Sequence, residues 1–195
     1  MPLTLQSGFW TGASGGGSSD DMIFISKLTV ETGSSSAEFT SGIDSTYRIY
    51  KIFGSAYRDA TTATGLAYQV STDGGTSYGV TTSTTLFHSY NYYNDAGNDL
   101  TNVGVESYVA TTNFMRFAPT GWGGFEMTIL DPANTSVDRK TIQVVAYGDG
   151  DHDDYVNQKY STGTVATSSA IDAIKFQPSS GNFEAVICLY GLKDS

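Results

Sequence analysis

The 195-residue chain holds only ten Lys and Arg residues, four prolines and one cysteine. Each shortage excludes something. Ten cations against twenty Asp and Glu give a formal net charge of −10. That is too little positive charge to replace the counterions of a phosphate backbone, so nucleic acid is excluded as a partner. The single cysteine, Cys188, has no partner for an intramolecular disulfide, so packing must hold the fold. No apolar run approaches the ~20 residues that span a bilayer. The first residues show neither the basic nor the apolar region of a signal peptide, and no membrane partner is expected. Charged residues make up 15% of the chain, against roughly 25% in an ordinary globular domain. Glu, Lys, Arg and Leu are all sparse, so long helices lack their usual material.

Other residues fill the gap. There are 23 Ser, 25 Thr and 22 Gly, with 13 Tyr and 10 Phe. That aromatic content excludes a disordered acidic chain. Thr, Tyr, Phe and Val suit a pleated, half-buried surface, so the composition reads as all-β. A chain of this length can bury roughly 70% of its unfolded surface, enough for one sizeable core.

Residues 1–21 read as an N-terminal arm, in which Gly12–Ser19 forms a flexible Gly/Ser linker. Ahead of the linker stand Leu3, Leu5, Phe9 and Trp10. Two readings compete here: a frayed terminus, or an assembly anchor in which Phe9 and Trp10 dock on a neighbour. From Met22 onward the pattern is that of strands, making residues 22–195 one domain. Candidate strands are 22–30, 37–40, 46–55, 65–71, 85–93, 105–110, 113–118, 125–130, 140–148, 158–166, 170–177 and 182–192. Turns rich in Gly, Asn, Asp and Ser separate them. About eleven or twelve short strands without helices predict an antiparallel sandwich or barrel. Asp73-Gly74-Gly75, between two β runs, is a hairpin signal. In 182–192, Phe183, Ala185, Ile187 and Leu189 share one face, and Glu184, Val186, Cys188 and Tyr190 the other. A strand apolar on both faces is central in its sheet or covered by a partner.

Three passages carry a family resemblance: EFTSGIDSTYRIYKI (38–52), QVSTDGGTSY (69–78) and AIDAIKFQPSSGNFEAVICLYGLK (170–193). In that order they resemble a β-sandwich module of tailed-bacteriophage virions, found in decoration (cement) and tail-fibre-like structural proteins. The resemblance implies a jelly-roll or lectin-like sandwich on a phage particle. It carries no agreed activity.

Chemistry-bearing residues are few. His88 lies among aromatics without an evident acid or nucleophile beside it, so a packing or surface role outweighs general-base work. Mid-strand Cys188 reads as a small hydrophobe. The acidic loop with Asp149, Asp151, His152, Asp153 and Asp154 offers alternating carboxylates around a glycine. It is a candidate Ca2+ site or a simple solvated loop, and no Glu closes it at the far end. Glu106, Glu126 and Glu184 fall on expected strands. Glycoside cleavage would need two such carboxyls ~5–9 Å apart. Tyr90, Tyr92, Tyr93 and Trp122 are candidates for subunit interfaces, sugar stacking or core packing, and the run 88–99 looks like a ring-rich surface loop.

These readings point to a non-enzymatic structural protein on the surface of a tailed-phage virion. Head decoration is the first choice, with the major capsid protein and further copies of itself as partners, in a trimer or, second, a dimer. A tail-fibre or receptor-binding component that recognises host surface glycan is the alternative, and a polysaccharide-degrading enzyme the third. No cofactor beyond Ca2+ is expected.

Overall fold

The structure, a computed structural model, describes residues 21–59, 64–92, 98–117, 120–149 and 155–193. The N-terminal arm, with Phe9 and Trp10, lies outside the described residues, as do Tyr93 and the loop residues Asp151–Asp154.

Twelve strands account for the ordered pattern, and no helix occurs among the described residues. They are β1 (Met22–Ser34), β2 (Ala37–Phe39), β3 (Ile49–Asp59), β4 (Thr64–Ser71), β5 (Thr82–Tyr92) and β6 (Asn98–Val109), then β7 (Thr112–Phe117), β8 (Thr120–Leu130), β9 (Arg139–Asp149), β10 (Tyr155–Ala166), β11 (Ala173–Pro178) and β12 (Phe183–Leu192). An eight-stranded sheet runs in the order β1-β12-β3-β8-β9-β10-β5-β6, and a four-stranded sheet in the order β2-β11-β4-β7. Every pairing is antiparallel. The two sheets pack face to face as a β-sandwich.

Period-2 alternation selects what goes inside. On β3 the inward residues are Tyr50, Ile52 and Ala56, and on β12 they are Phe183, Ala185, Ile187 and Leu189, all buried. The small sheet answers with Leu66, Tyr68, Val70, Phe114, Ile174 and Phe176. Three rings interlock across the gap: Phe125 of the large sheet stands 4.9 Å from Phe114 and 5.4 Å from Phe176, both of the small sheet. Phe125 faces Gly54 across the β3–β8 pair, and a Cβ on that glycine would collide with the ring.

One local expectation is corrected. Asp73-Gly74-Gly75 does reverse the chain, with Gly74 and Gly75 at φ 70° and 85°. The flanking strands do not pair, however: β4 lies in the small sheet and β5 in the large one. The turn is a crossover between sheets. Its own side chains stabilise it, since Ser71 Oγ donates to Asp73 at 2.7 Å, and the Ser77 amide and hydroxyl donate to the same carboxylate. A self-satisfied turn of this kind does not need a ladder between its flanks. Within the run 88–99, residues 88–92 belong to β5, as the candidate strand 85–93 predicts, and β6 begins at Asn98, with Asn91 opposite Asn98; residues 93–97 lie outside the described residues.

Candidate functional site

The small sheet covers one face of the large sheet, and among the described residues the other face is open, with Phe24, Trp122, Tyr147 and Val186 exposed. Register identifies what points outward there. Glu184, Val186, Cys188 and Tyr190 of β12 lie opposite Tyr57, Ser55, Phe53 and Lys51 of β3. Tyr57, Ser55 and Phe53 in turn lie opposite Trp122, Gly124 and Glu126 of β8. Gly124 and Glu126 are paired with Tyr147 and Val145 of β9. The strand β12 is thus interior in its sheet, as its two apolar faces predict, but its outer face remains partly exposed.

Two clusters of rings stand on this face. Near the start of β1, Phe24, Tyr190 and Phe53 make successive edge-on contacts with centroids 5.6 and 5.8 Å apart. Phe24 is 55% exposed. Lys27 lies opposite Cys188 and Lys51 opposite Tyr190, so two of the few cations flank the cluster.

At the other end of the sheet, Trp122 is 59% exposed and Tyr147 58%. Trp122 stacks against Tyr57 at 4.7 Å and an interplanar angle of 32°. On its β9 side lies a groove of about 380 Å³ lined by Ser55, Trp122, Gly123, Gly124, Tyr147, Gly148 and Val156. The glycines have distinct reasons to be there. A Cβ on Gly124 would come within 2.5 Å of the Tyr147 hydroxyl and 2.6 Å of its ring carbon, so the ring lies across bare backbone. Gly123 and Gly148 are packed closely too, against the Met115 sulfur at 2.9 Å and the Trp122 carbonyl at 3.0 Å. Glycine within a strand often marks such close approach. On the other side of Trp122, a hollow of about 180 Å³ is lined by Glu31, Glu184, Thr29, Ser55 and Val186, among others.

The groove brings together one residue singled out from the sequence, Trp122, with Tyr147, Tyr57 and Ser55, which were not. Tyr147 had a signal of its own, since it stands in a strand beside Gly148. Tyr90 and Tyr92 lie near the end of β5, and Asp149 is the last residue of β9. Glu106 sits on β6 opposite Thr84.

Glu126 and Glu184 do not form a glycosidase pair. Glu126 is ion-paired with Lys51, and Glu184 accepts a hydrogen bond from Thr32. Glu184 and Glu126 are two strands apart, and their register differs by four residues. Strand geometry puts them on the order of 16 Å from each other, beyond the ~5–9 Å of a glycosidase pair. Among the described residues no group of three or more His, Cys, Asp and Glu could hold a metal ion; the residues Asp151, Asp153 and Asp154 lie outside them.

Perturbed titrations are found away from the groove, where they serve structure. Hydrogen bonds from Ser71 and Ser77 lower Asp73 to about 2. Burial, reinforced by Glu38, raises Tyr78, whose ring also carries the Lys175 ammonium at 4.4 Å from its centroid. Burial lowers Lys140, which donates to the Thr167 carbonyl at 2.9 Å.

No protein-family model matches the chain, and no curated protein sequence matches it.

Proposed function

We propose that this protein is a non-enzymatic structural component of a tailed-phage virion surface, and that it attaches through the open face of its large sheet. The observation that carries the reading is the Phe24–Tyr190–Phe53 ring chain. A soluble monomer rarely exposes contiguous aromatic surface without a partner for it. Aromatic residues ringed by polar ones make the usual core of an interface. The occupant is another copy of this chain, in a trimer. Lys51 is held by Glu126 on the same face, whereas Lys27 borders the patch without a carboxylate paired to it in the register, on a molecule of net charge −10, so Lys27 offers a cation to the acidic surface of another copy. In this reading Phe9 and Trp10 add to the association as anchor residues tethered by the Gly12–Ser19 linker. Head decoration remains the preferred location.

Sedimentation velocity tests the association. Wild type should sediment as a trimer, and Phe24→Ser/Phe53→Ser as a folded monomer. A monomeric wild type, or an unchanged oligomer in the double variant, would exclude this face as the contact. Particle occupancy tests the location: protein lacking residues 1–21 should bind purified heads less than the full chain does.

The receptor-binding reading is favoured by a separate observation, the exposed Trp122. In that reading the protein belongs to the tail rather than the head. Immunogold labelling of intact particles separates the two.

A further inference from the structure

We propose that the groove between Trp122 and Tyr147 binds an uncharged saccharide, with a sugar ring resting on the two aromatic side chains beside Gly124. The inference deepens the glycan-recognition reading of Trp122 and rests on it, and it uses none of the residues of the Phe24 patch.

The chemistry of the walls selects the ligand. Trp and Tyr each present a broad apolar surface with a polar tip. A pyranose has the same dual character, with C–H faces and a hydroxyl rim. Both rings are more than half exposed, so their apolar surfaces are available. The polar groups at the groove, Ser55 Oγ, Trp122 Nε1 and the Tyr147 hydroxyl, make no hydrogen bond to another described residue. They are free to meet sugar hydroxyls.

Geometry is set before the ligand arrives. Tyr57 braces Trp122 from the side away from the groove. Gly124 lets Tyr147 lie down on the sheet where any side chain would lift it. Two rings held by neighbours lose little conformational freedom on binding, which favours a shallow site.

Charge narrows the class. Every residue lining the groove is uncharged at neutral pH, and the molecule carries −10 overall. An anionic sugar would be repelled and would find no cation among the described residues that line the groove. The volume, about 380 Å³, falls in the ~300–1,000 Å³ range of small-molecule sites. The groove lies on an open sheet face, so it suits part of a chain passing across rather than an enclosed monosaccharide.

The chain has two tryptophans, and Trp10→Phe leaves Trp122 as the only one. Emission of that variant is titrated with maltotriose, lactose and chitotriose, with sialyllactose as the anionic comparison. At least one neutral sugar should give a saturable change with a Kd of about 1 mM. Sialyllactose should give a response at least tenfold weaker. Tyr147→Ala, on the same background and at unchanged melting temperature, should weaken binding at least tenfold. Val137→Thr, at an exposed position between β8 and β9 and outside the groove, should leave it unchanged. The proposal is overturned if none of the neutral sugars gives a saturable response up to about 50 mM, or if Tyr147→Ala binds as well as its parent. It is equally overturned if sialyllactose binds as tightly as the best neutral sugar, or if the emission follows protein concentration alone, which would assign the groove to a second copy.

Discussion

Thr82 and Thr112 share a buried hydrogen bond of 2.6 Å that joins the two sheets. Thr82 belongs to β5 in the large sheet and Thr112 to β7 in the small one. Thr82 Oγ1 also lies 3.0 Å from the Val109 carbonyl, to which it donates. Replacing Thr82 with Val strands the Thr112 hydroxyl in a buried site, at a cost of about 1–3 kcal/mol. The double change Thr82→Val/Thr112→Val removes both polar groups, so it should cost less than the sum of the singles. Urea unfolding of all four members of the cycle measures this.

The second prediction concerns Gly54 and the ring above it. Gly54→Ala should destabilise by about 1–3 kcal/mol, since Phe125 is clamped between Phe114 and Phe176 and cannot yield freely. Phe114→Ala, which empties the same cluster, should cost about 3–5 kcal/mol. Thermal melts followed by near-UV circular dichroism report both, because the rings themselves lose their fixed environment.

The crossover turn predicts an acid dependence. The Asp73 carboxylate is favoured in the folded state, at about 2 against an ordinary 3.8. Its contribution is therefore fully present above pH 3.8 and is lost as pH falls toward 2. Asp73→Asn should melt lower than wild type at pH 6, and the two curves should converge near pH 2. Melting temperature measured across that range is the readout.

The fourth prediction separates the two faces of one strand. Ile187→Ala, in the core, should cost about 2–5 kcal/mol. Val186→Thr, one residue away and 46% exposed, should change stability by no more than about 0.5 kcal/mol. Chemical denaturation of both variants compares them directly.

Much of this fold is legible in the sequence, because period-2 alternation is a local property. The twelve strands fall close to the twelve apolar runs, and the inward set on β12 is the one that alternation selects. The partition into sheets is not local. Nothing in the turn of residues 71–78 states that β4 and β5 part company, since Asp73 makes the same side-chain bonds whether or not its flanks pair. The groove is half legible. Trp122 stands out as a rare residue in a glycine-rich stretch, whereas Tyr147 is one of 13 tyrosines. Its meaning depends on Gly124 lying opposite it across a strand pair, a relationship that only register supplies.

The first and last strands are neighbours: Met22 lies opposite Leu192, and the Lys193 amide donates to the Asp21 carbonyl at 3.0 Å. Among the described residues β12 is the one hydrogen-bonded neighbour of β1 in the large sheet, so β1 cannot pair there until β12 has been made. Such pairing of distant segments makes for slow folding. The ends of β1 and β12 at Met22 and Leu192 thus lie side by side, at the far end of the sheet from Trp122.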